Sequence, residues 1–216
     1  MDFLALYVSL KLALVTTLVL IGIAAPLAYM LAYLRFPGKS LLEALLNLPM
    51  AMPPTVMGFF LIVVMGPQGV VGRASVSLGG GPLLFTFLGI VIASAAGSLP
   101  FAVQPIKAAF QRVDRRLIES SHVLGLSPFK TFIRVIIPQS VSGIAAGAIL
   151  VFLHTMGAFG MLLMIGGSIP GVTKVASIAI YEAVETMNYQ TAGLMSFCFI
   201  PISYGFLLLL NKINER

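Results

Sequence analysis

The histidines, cysteines and carboxylates that most often build metal and acid–base sites are few in this chain: two, one and seven. They are scattered. His122 and His154 stand in different stretches, and Cys198 lies alone in an apolar run. No disulfide framework or cysteine metal site can form within one chain, and a lone histidine gives no ligand set. Gly79-Gly80-Gly81 is not followed by the Lys-Ser/Thr of a phosphate loop. An intramembrane protease or acyltransferase would need a paired Ser/His, His/Asp or metal constellation, and none is evident. One stretch does concentrate polar chemistry: Val113–Pro138, VDRRLIESSHVLGLSPFKTFIRVIIP. It holds Arg115, Arg116, Lys130 and Arg134, with Arg112 at its edge, five of the thirteen basic residues. Its chemistry is recognition: it is the obvious place for the chain to meet a soluble partner.

The elements that must carry this stretch are apolar. The 216 residues are 59% hydrophobic and 9% charged, against about 25% charged in soluble domains. Mean hydropathy is +1.04. The expected fold is an all-α polytopic membrane protein forming one domain over residues 1–216. It has about five spans, near 4–34, 41–65, 83–106, 141–165 and 191–210, since about 20 apolar residues cross a bilayer. Runs of this kind, broken by Gly and Pro, read as helices and not as barrel strands. The first run is too long for a signal-peptide core. Pro49, Pro53 and Pro54 predict a break in the second span. Such a break reads either as a plain kink or as irregular backbone lining a path. Gly66–Pro82 reads as an exposed loop. Val172, Val175, Ile178, Ala179 and Ala183 suit one face of a short amphipathic helix lying at the surface.

Five spans place the termini on opposite sides, and the positive-inside rule orients them. Arg35, Lys39, Lys107, Arg112, Arg115, Arg116, Lys130, Arg134, Lys212 and Arg216 share one side; only Lys11, Arg73 and Lys174 share the other. With the acids counted, the whole net charge of +6 belongs to the first side. The N-terminus is therefore expected outside, with residues 107–140 and the C-terminus in the cytoplasm. That distribution accounts for the charge without nucleic acid.

Within the polar stretch, Val113, Leu117, Ser121 and Leu124 fall at helical spacing, and Gly125 is a helix stop. Ser127-Pro128 reads as an N-cap followed by proline at the first helical position. Phe129, Phe132, Ile133 and Ile136 line one face of the second helix, and Pro138 ends it.

The spacing Glu119-Ser120-Ser121, three residues, Gly125, nine residues, Val135-Ile136-Ile137-Pro138 resembles the EAA motif of permease subunits of ABC importers. Both alanines of that pattern are serine here, and its Ile and Leu positions hold Val135 and Ile137. Phe36-Pro37-Gly38-Lys39, Leu48–Pro54 with Gly58, Val113–Arg116, Gly157–Gly160, Ile169–Gly171 and Ala179–Tyr181 are similar to the molybdate permeases, with sulfate and tungstate permeases sharing much of the pattern. One departure stands out: molybdate permeases commonly carry Gly-Glu-Phe-Gly, and here the glutamate is Ala158.

The resemblance implies a type I ABC importer permease fold, a second copy of the chain, two ATP-binding subunits on the cytoplasmic side and an external substrate-binding protein. It implies an imported oxyanion, molybdate first, then tungstate or sulfate. ATP and Mg belong to the partner ATPase, and no cofactor or metal to this chain. A coupling helix would be formed by Arg115, Arg116, Glu119, Ser120, Ser121, Gly125 and Pro138. Glu119 reads equally as a partner of Arg115 on its own helix. The translocation path has Pro53, Pro54, Ser94, Ser98, His154 and Thr155 as candidates. The hydroxyls equally serve helix packing. His154 reads as a neutral histidine hydrogen-bonded inside the helix packing, the commoner arrangement, or as a group that contacts an oxyanion or gates the path. A stand-alone channel or secondary transporter is the competing reading; its intramembrane carboxylates or internal repeats are not evident.

Overall fold

The computed structural model describes residues 2–214; Glu215 and Arg216, counted above with the cytoplasmic charges, lie outside the described residues. All regular structure among the described residues is helical. Helix α1, Phe3–Tyr33, is 31 residues long, capped by the Asp2 carboxylate, which accepts from the Ala5 amide at 3.1 Å. At about 1.5 Å per residue it is longer than the roughly 30 Å hydrocarbon layer. Its buried positions repeat at helical spacing and are mostly small: Ala5, Ser9, Ala13, Thr17, Ala24 and Ala28. Against lipid there is little hydrophobic drive between helices, so close approach through small side chains supplies the packing energy. The opposite face, with Phe3, Tyr7, Leu14 and Leu18, is exposed and suits lipid.

Helices α2, Lys39–Ala51, and α3, Pro54–Met65, are two halves of one hydrophobic stretch bent by 116°. Pro49 is accommodated inside α2, and the break falls at Met52–Pro53. Helix α4, Val70–Ser77, occupies about half of what reads as a loop in the sequence. Gly69 and Gly72 are held in close backbone contact, a Cβ on Gly72 lying 2.0 Å from the Gly66 carbonyl oxygen, whereas Gly79 and Gly81 stand in open space. Helix α5, Phe87–Arg112, is capped by Thr86 and runs through Pro100 and Pro105.

The polar stretch forms α6, Arg115–Val123, and α7, Pro128–Gln139. Pro138 does not end α7. A π-helical turn over Phe132–Ile136 moves the hydrogen bonding to i−5, with the Ile137 amide donating to Phe132, and the helix continues to Gln139. Helix α8, Val141–Gly157, leaves α7 at 74°. The fourth hydrophobic stretch is itself interrupted at Ala158–Phe159, and α9, Gly160–Gly166, follows. Helix α10 is Ala176–Glu185, and α11 is Tyr189–Asn214. Among the described residues, three helices are long and apolar enough to span a membrane, or up to five if each bent pair counts as one span.

Helices α1, α5 and α8 pack against one another, with α3 beside α9 and α10 between α1 and α11. Helix α10 therefore does not lie on the surface with a free apolar face. Ile178, Ala179 and Ala183 are covered by protein, and the Ala176 amide donates to Ser9 Oγ at 2.7 Å. One core cluster centres on Ile90, Leu162 and Ile165. A second holds Leu20, Ile106, Phe110 and Val151, and it receives Val113 and Ile136 from the polar stretch. Tyr33 ties α1 to the end of α5 by donating to the Phe110 carbonyl at 2.5 Å.

A polar seam joins α2 to α5. Lys107 Nζ meets Glu43 Oε1 at 2.8 Å, and Gln104 donates to Asn47 at 2.6 Å. The two charged side chains are 16% and 29% exposed. Glu43→Gln is expected to cost between the roughly 1 kcal/mol of an exposed pair and the roughly 3 kcal/mol of a buried one. Thermal unfolding in detergent checks it, and adding Lys107→Met should recover part of the loss, because the stranded charge is then gone.

At the other end, Lys174 Nζ lies 2.7 Å from Glu182 Oε2 and 3.5 Å from Asp2 Oδ2, and Ser168 donates to Glu182. The hydrogen bond to Glu182 raises the Lys174 pKa; the hydrogen bonds from Lys174 and then Ser168 lower that of Glu182. The Glu182 contribution is full above the ordinary carboxylate value of 4.5 and is lost as pH falls through its lowered value. The Lys174 contribution is full below 10.5 and is lost only as pH rises above that. The thermal midpoint is thus expected to decline on the acid side of 4.5, with a shallower decline in Glu182→Gln.

Candidate functional site

The turn between α6 and α7 is built by local chemistry. Gly125 has φ +78°, its amide donates to the His122 carbonyl at 2.9 Å, and the Leu126 amide donates to Ser121 at 3.0 Å. That pair of bonds is a Schellman stop, which needs a left-handed residue at the glycine position. Ser127 then caps α7, its Oγ accepting from the Lys130 amide at 3.4 Å. Ser121 Oγ donates to the Ile118 carbonyl at 2.7 Å and lies 2.9 Å from Thr131 Oγ1, bracing α6 against α7.

The inward face of this unit differs from the spacing-based expectation. Ile118 and Ser121 face inward, while Leu117 and Leu124 are exposed. On α7 the π turn separates buried Ile136 from exposed Phe129 and Ile133. What remains outside is an apolar knob: Val123 is 88% exposed, Leu124 79% and Phe129 71%. Arg115, Arg116, Glu119, Ser120 and Lys130 on the same two helices are also exposed, with Arg115 and Glu119 lining a pocket beside Arg35 and Lys39 just past the end of α1. Glu119 makes no ion pair with Arg115 among the described residues. Pro138 is exposed at the far end of α7, away from the turn. Large exposed apolar side chains on a polar, charged stretch have the composition that suits protein docking.

A cavity of about 550 Å³ opens between the two helix breaks. The α2–α3 break contributes Met52, Pro54 and Thr55; the α8–α9 break contributes Gly157, Ala158 and Phe159. Its few polar groups include His154 and Thr55. Close packing of α3 on α9 holds the wall: a Cβ on Gly58 would stand 2.9 Å from Met164 Sδ and 3.3 Å from the Met161 backbone.

The six candidate path residues divide. His154 and Pro54 line the cavity, while Pro53 forms the adjoining break. Ser98 and Thr155 are buried behind His154: Ser98 Oγ lies 2.9 Å from His154 Nδ1 and 3.2 Å from Thr155 Oγ1. Ser94 is buried with no hydrogen-bond partner for its hydroxyl among the described residues. His154 is hydrogen-bonded to Ser98 of a neighbouring helix and also lines the cavity. Phe101, which stacks on its ring at 4.3 Å and 25°, is a member that sequence reasoning missed. Phe101 is apolar and sits in an apolar helix, so its identity carried no signal. Ala158, the departure noted in the sequence, stands in the cavity wall, and its carbonyl accepts from Ser177 at 2.7 Å. No group of three metal-ligating side chains occurs among the described residues.

Residues 24–216 match the family of binding-protein-dependent transport system inner membrane components. The chain is 42% identical over 206 residues to the molybdenum transport system permease protein ModB of Azotobacter vinelandii, covering 93% of this chain and 91% of that one. It is 32% identical to the ModB protein of Escherichia coli K12, covering 95% and 90%. It is also 34% identical to a probable sulfate transport system permease protein, cysT, of Nephroselmis olivacea, covering 87% and 66%. A bacterial alginate ABC transporter, solved with a periplasmic protein bound to an alginate pentasaccharide, shares the fold. There the TM-score is 0.77 at 18% identity, over 99% of this chain and 78% of that one. With the family match spanning most of its length, this chain belongs to the binding-protein-dependent transport system inner membrane components, the membrane-embedded permeases of ABC importers.

Proposed function

We propose that the chain forms the translocation path of an ATP-driven importer for a tetrahedral oxyanion: molybdate, with tungstate and sulfate in the same chemical class. The observation that carries this reading is the 42% identity, across nine-tenths of both chains, to a permease named for molybdenum transport. The likeness to a sulfate permease supports the class of anion.

The energy comes from elsewhere in the assembly. Two ATPase subunits would hold ATP and Mg in the cytoplasm. They would dock on the knob of Val123, Leu124 and Phe129 and on the exposed Arg115, Arg116, Glu119 and Ser120 of the same unit, while Ser121, Gly125 and Pro138 shape the element. A second copy of the chain would complete the path, and an external binding protein would deliver the anion. The charge asymmetry supports an N-terminus outside and a cytoplasmic C-terminus.

The cavity suits a conduit. Pro53 and Pro54 hold the backbone open, Ser94, Ser98 and Thr155 lie in the helices behind it, and His154 reaches its wall. No full charge lines it, and a path that must release its cargo should bind it weakly. The test is uptake of labelled molybdate, tungstate and sulfate into proteoliposomes holding the permease with its ATPase and binding protein. ATP-dependent uptake of at least one of them is expected. Uptake that needs neither ATP nor partners would instead mark a stand-alone channel or secondary transporter.

A further inference from the structure

The hydrogen-bond chain behind the cavity fixes more than the position of His154. Thr155 is 2% exposed and Ser98 is fully buried. Each hydroxyl has one proton, and a buried hydroxyl proton is expected to find an acceptor. The Thr155 hydroxyl has one partner among the described residues, Ser98 Oγ at 3.2 Å. If His154 Nδ1–H donated to Ser98, Ser98 would donate to Thr155, and the Thr155 proton would be left buried without an acceptor. In the other direction Thr155 donates to Ser98, Ser98 donates to His154 Nδ1 at 2.9 Å, and every proton in the chain is used. An imidazole whose Nδ1 accepts is neutral and carries its proton on Nε2. That Nε2 has no hydrogen-bond partner among the described residues, His154 lines the cavity, and the stacked Phe101 ring restrains its plane.

The geometry points to Ser98 as a positioning residue that locks His154 in the Nε2–H tautomer, so that the imidazole offers one neutral N–H donor to an oxyanion oxygen in the cavity. The inference rests on the oxyanion-import reading. It gives the apolar cavity a polar contact that recognises an anion without the lasting hold of a full charge. The opposite tautomer would present a lone pair and repel the same oxygen.

The chain has two histidines, so ¹⁵N-histidine labelling of this subunit alone within the assembled transporter gives two pairs of ring signals, and a His122→Gln sample assigns them. Wild-type His154 is expected to be Nε2-protonated, and Ser98→Ala is expected to raise the Nδ1-protonated population. Loss of one hydrogen bond to a charged group predicts that His154→Ala slows initial uptake about tenfold. His154→Gln places an amide N–H near the Nε2 position and is expected to stay much closer to wild type. The proposal is overturned by an Nδ1-protonated wild type, by a Ser98→Ala protein with unchanged tautomer, or by a Gln variant as slow as Ala. A wild-type complex that imports none of the three oxyanions would instead overturn the import reading. The ring signals would still decide the role of Ser98.

Discussion

Gly125→Asp is expected to abolish co-purification of the permease with its ATPase while leaving the transmembrane helices folded. Two features of the turn make this separation possible. Gly125 has φ +78°, and a Cβ there would meet nothing within 4 Å. A side chain would therefore clash with no neighbour; its cost is left-handed strain of about 1–2 kcal/mol, confined to one exposed turn. That strain bears on the Schellman bonds that aim Val123 and Leu124 outward. Asp adds a carboxylate beside an apolar knob that a partner would have to desolvate. Gly125→Asn is the informative companion, because asparagine and aspartate both tolerate the left-handed region and differ in charge; it should retain most assembly, with Ala, strained but uncharged, between the two. Pull-down stoichiometry and stimulation of ATP hydrolysis by the loaded binding protein read the series. Normal coupling in the Asp variant would remove the docking role from this turn.

The turn was legible in the sequence because its signals are local. Gly125, Ser127 and Pro128 act on backbone groups a few residues away, so their types announce the stop and the cap. What failed was whatever depends on distant partners. Pro138 ends a helix on local rules, yet Ile136 is anchored in a core that includes Phe110 and Val151, and the π turn absorbs the missing donor. Leu117 and Leu124 have helical spacing, but the core lies on the Ile118 side. The periodicity of α10 was readable; its cover, which includes Ser9 of α1, was not. The chemistry of the cavity was the least legible part. Ser98 and His154 were each noticed as polar residues in apolar runs, but their hydrogen bond joins separate helices. No spacing rule connects them.

Gly143→Ala is expected to be strongly destabilising for a change of a single methyl group. Helix α8 crosses α5 so closely that a Cβ on Gly143 would lie 2.2 Å from Ala109 Cβ and 2.8 Å from the Pro105 carbonyl oxygen. One turn later, a Cβ on Gly147 would lie 3.2 Å from the Ala102 carbonyl oxygen. Backbone oxygens cannot rotate away as a side-chain tip can, so the helices must separate. Overpacking of this kind costs about 1–3 kcal/mol. Gly193→Ala serves as the control, since it lies within α11 and a Cβ there meets nothing within 4 Å; it should stabilise by about 0.5–1 kcal/mol through the lost freedom of the unfolded chain. Thermal midpoints in detergent separate the two. Adding Ala109→Gly to Gly143→Ala removes the nearer obstacle but not the Pro105 carbonyl, so a partial rescue is expected. Full rescue would mean that the methyl contact alone sets the spacing. No rescue would put the limit at the backbone, where the same crossing carries Ser98 toward His154, and uptake should then fall further than the loss of folded protein explains.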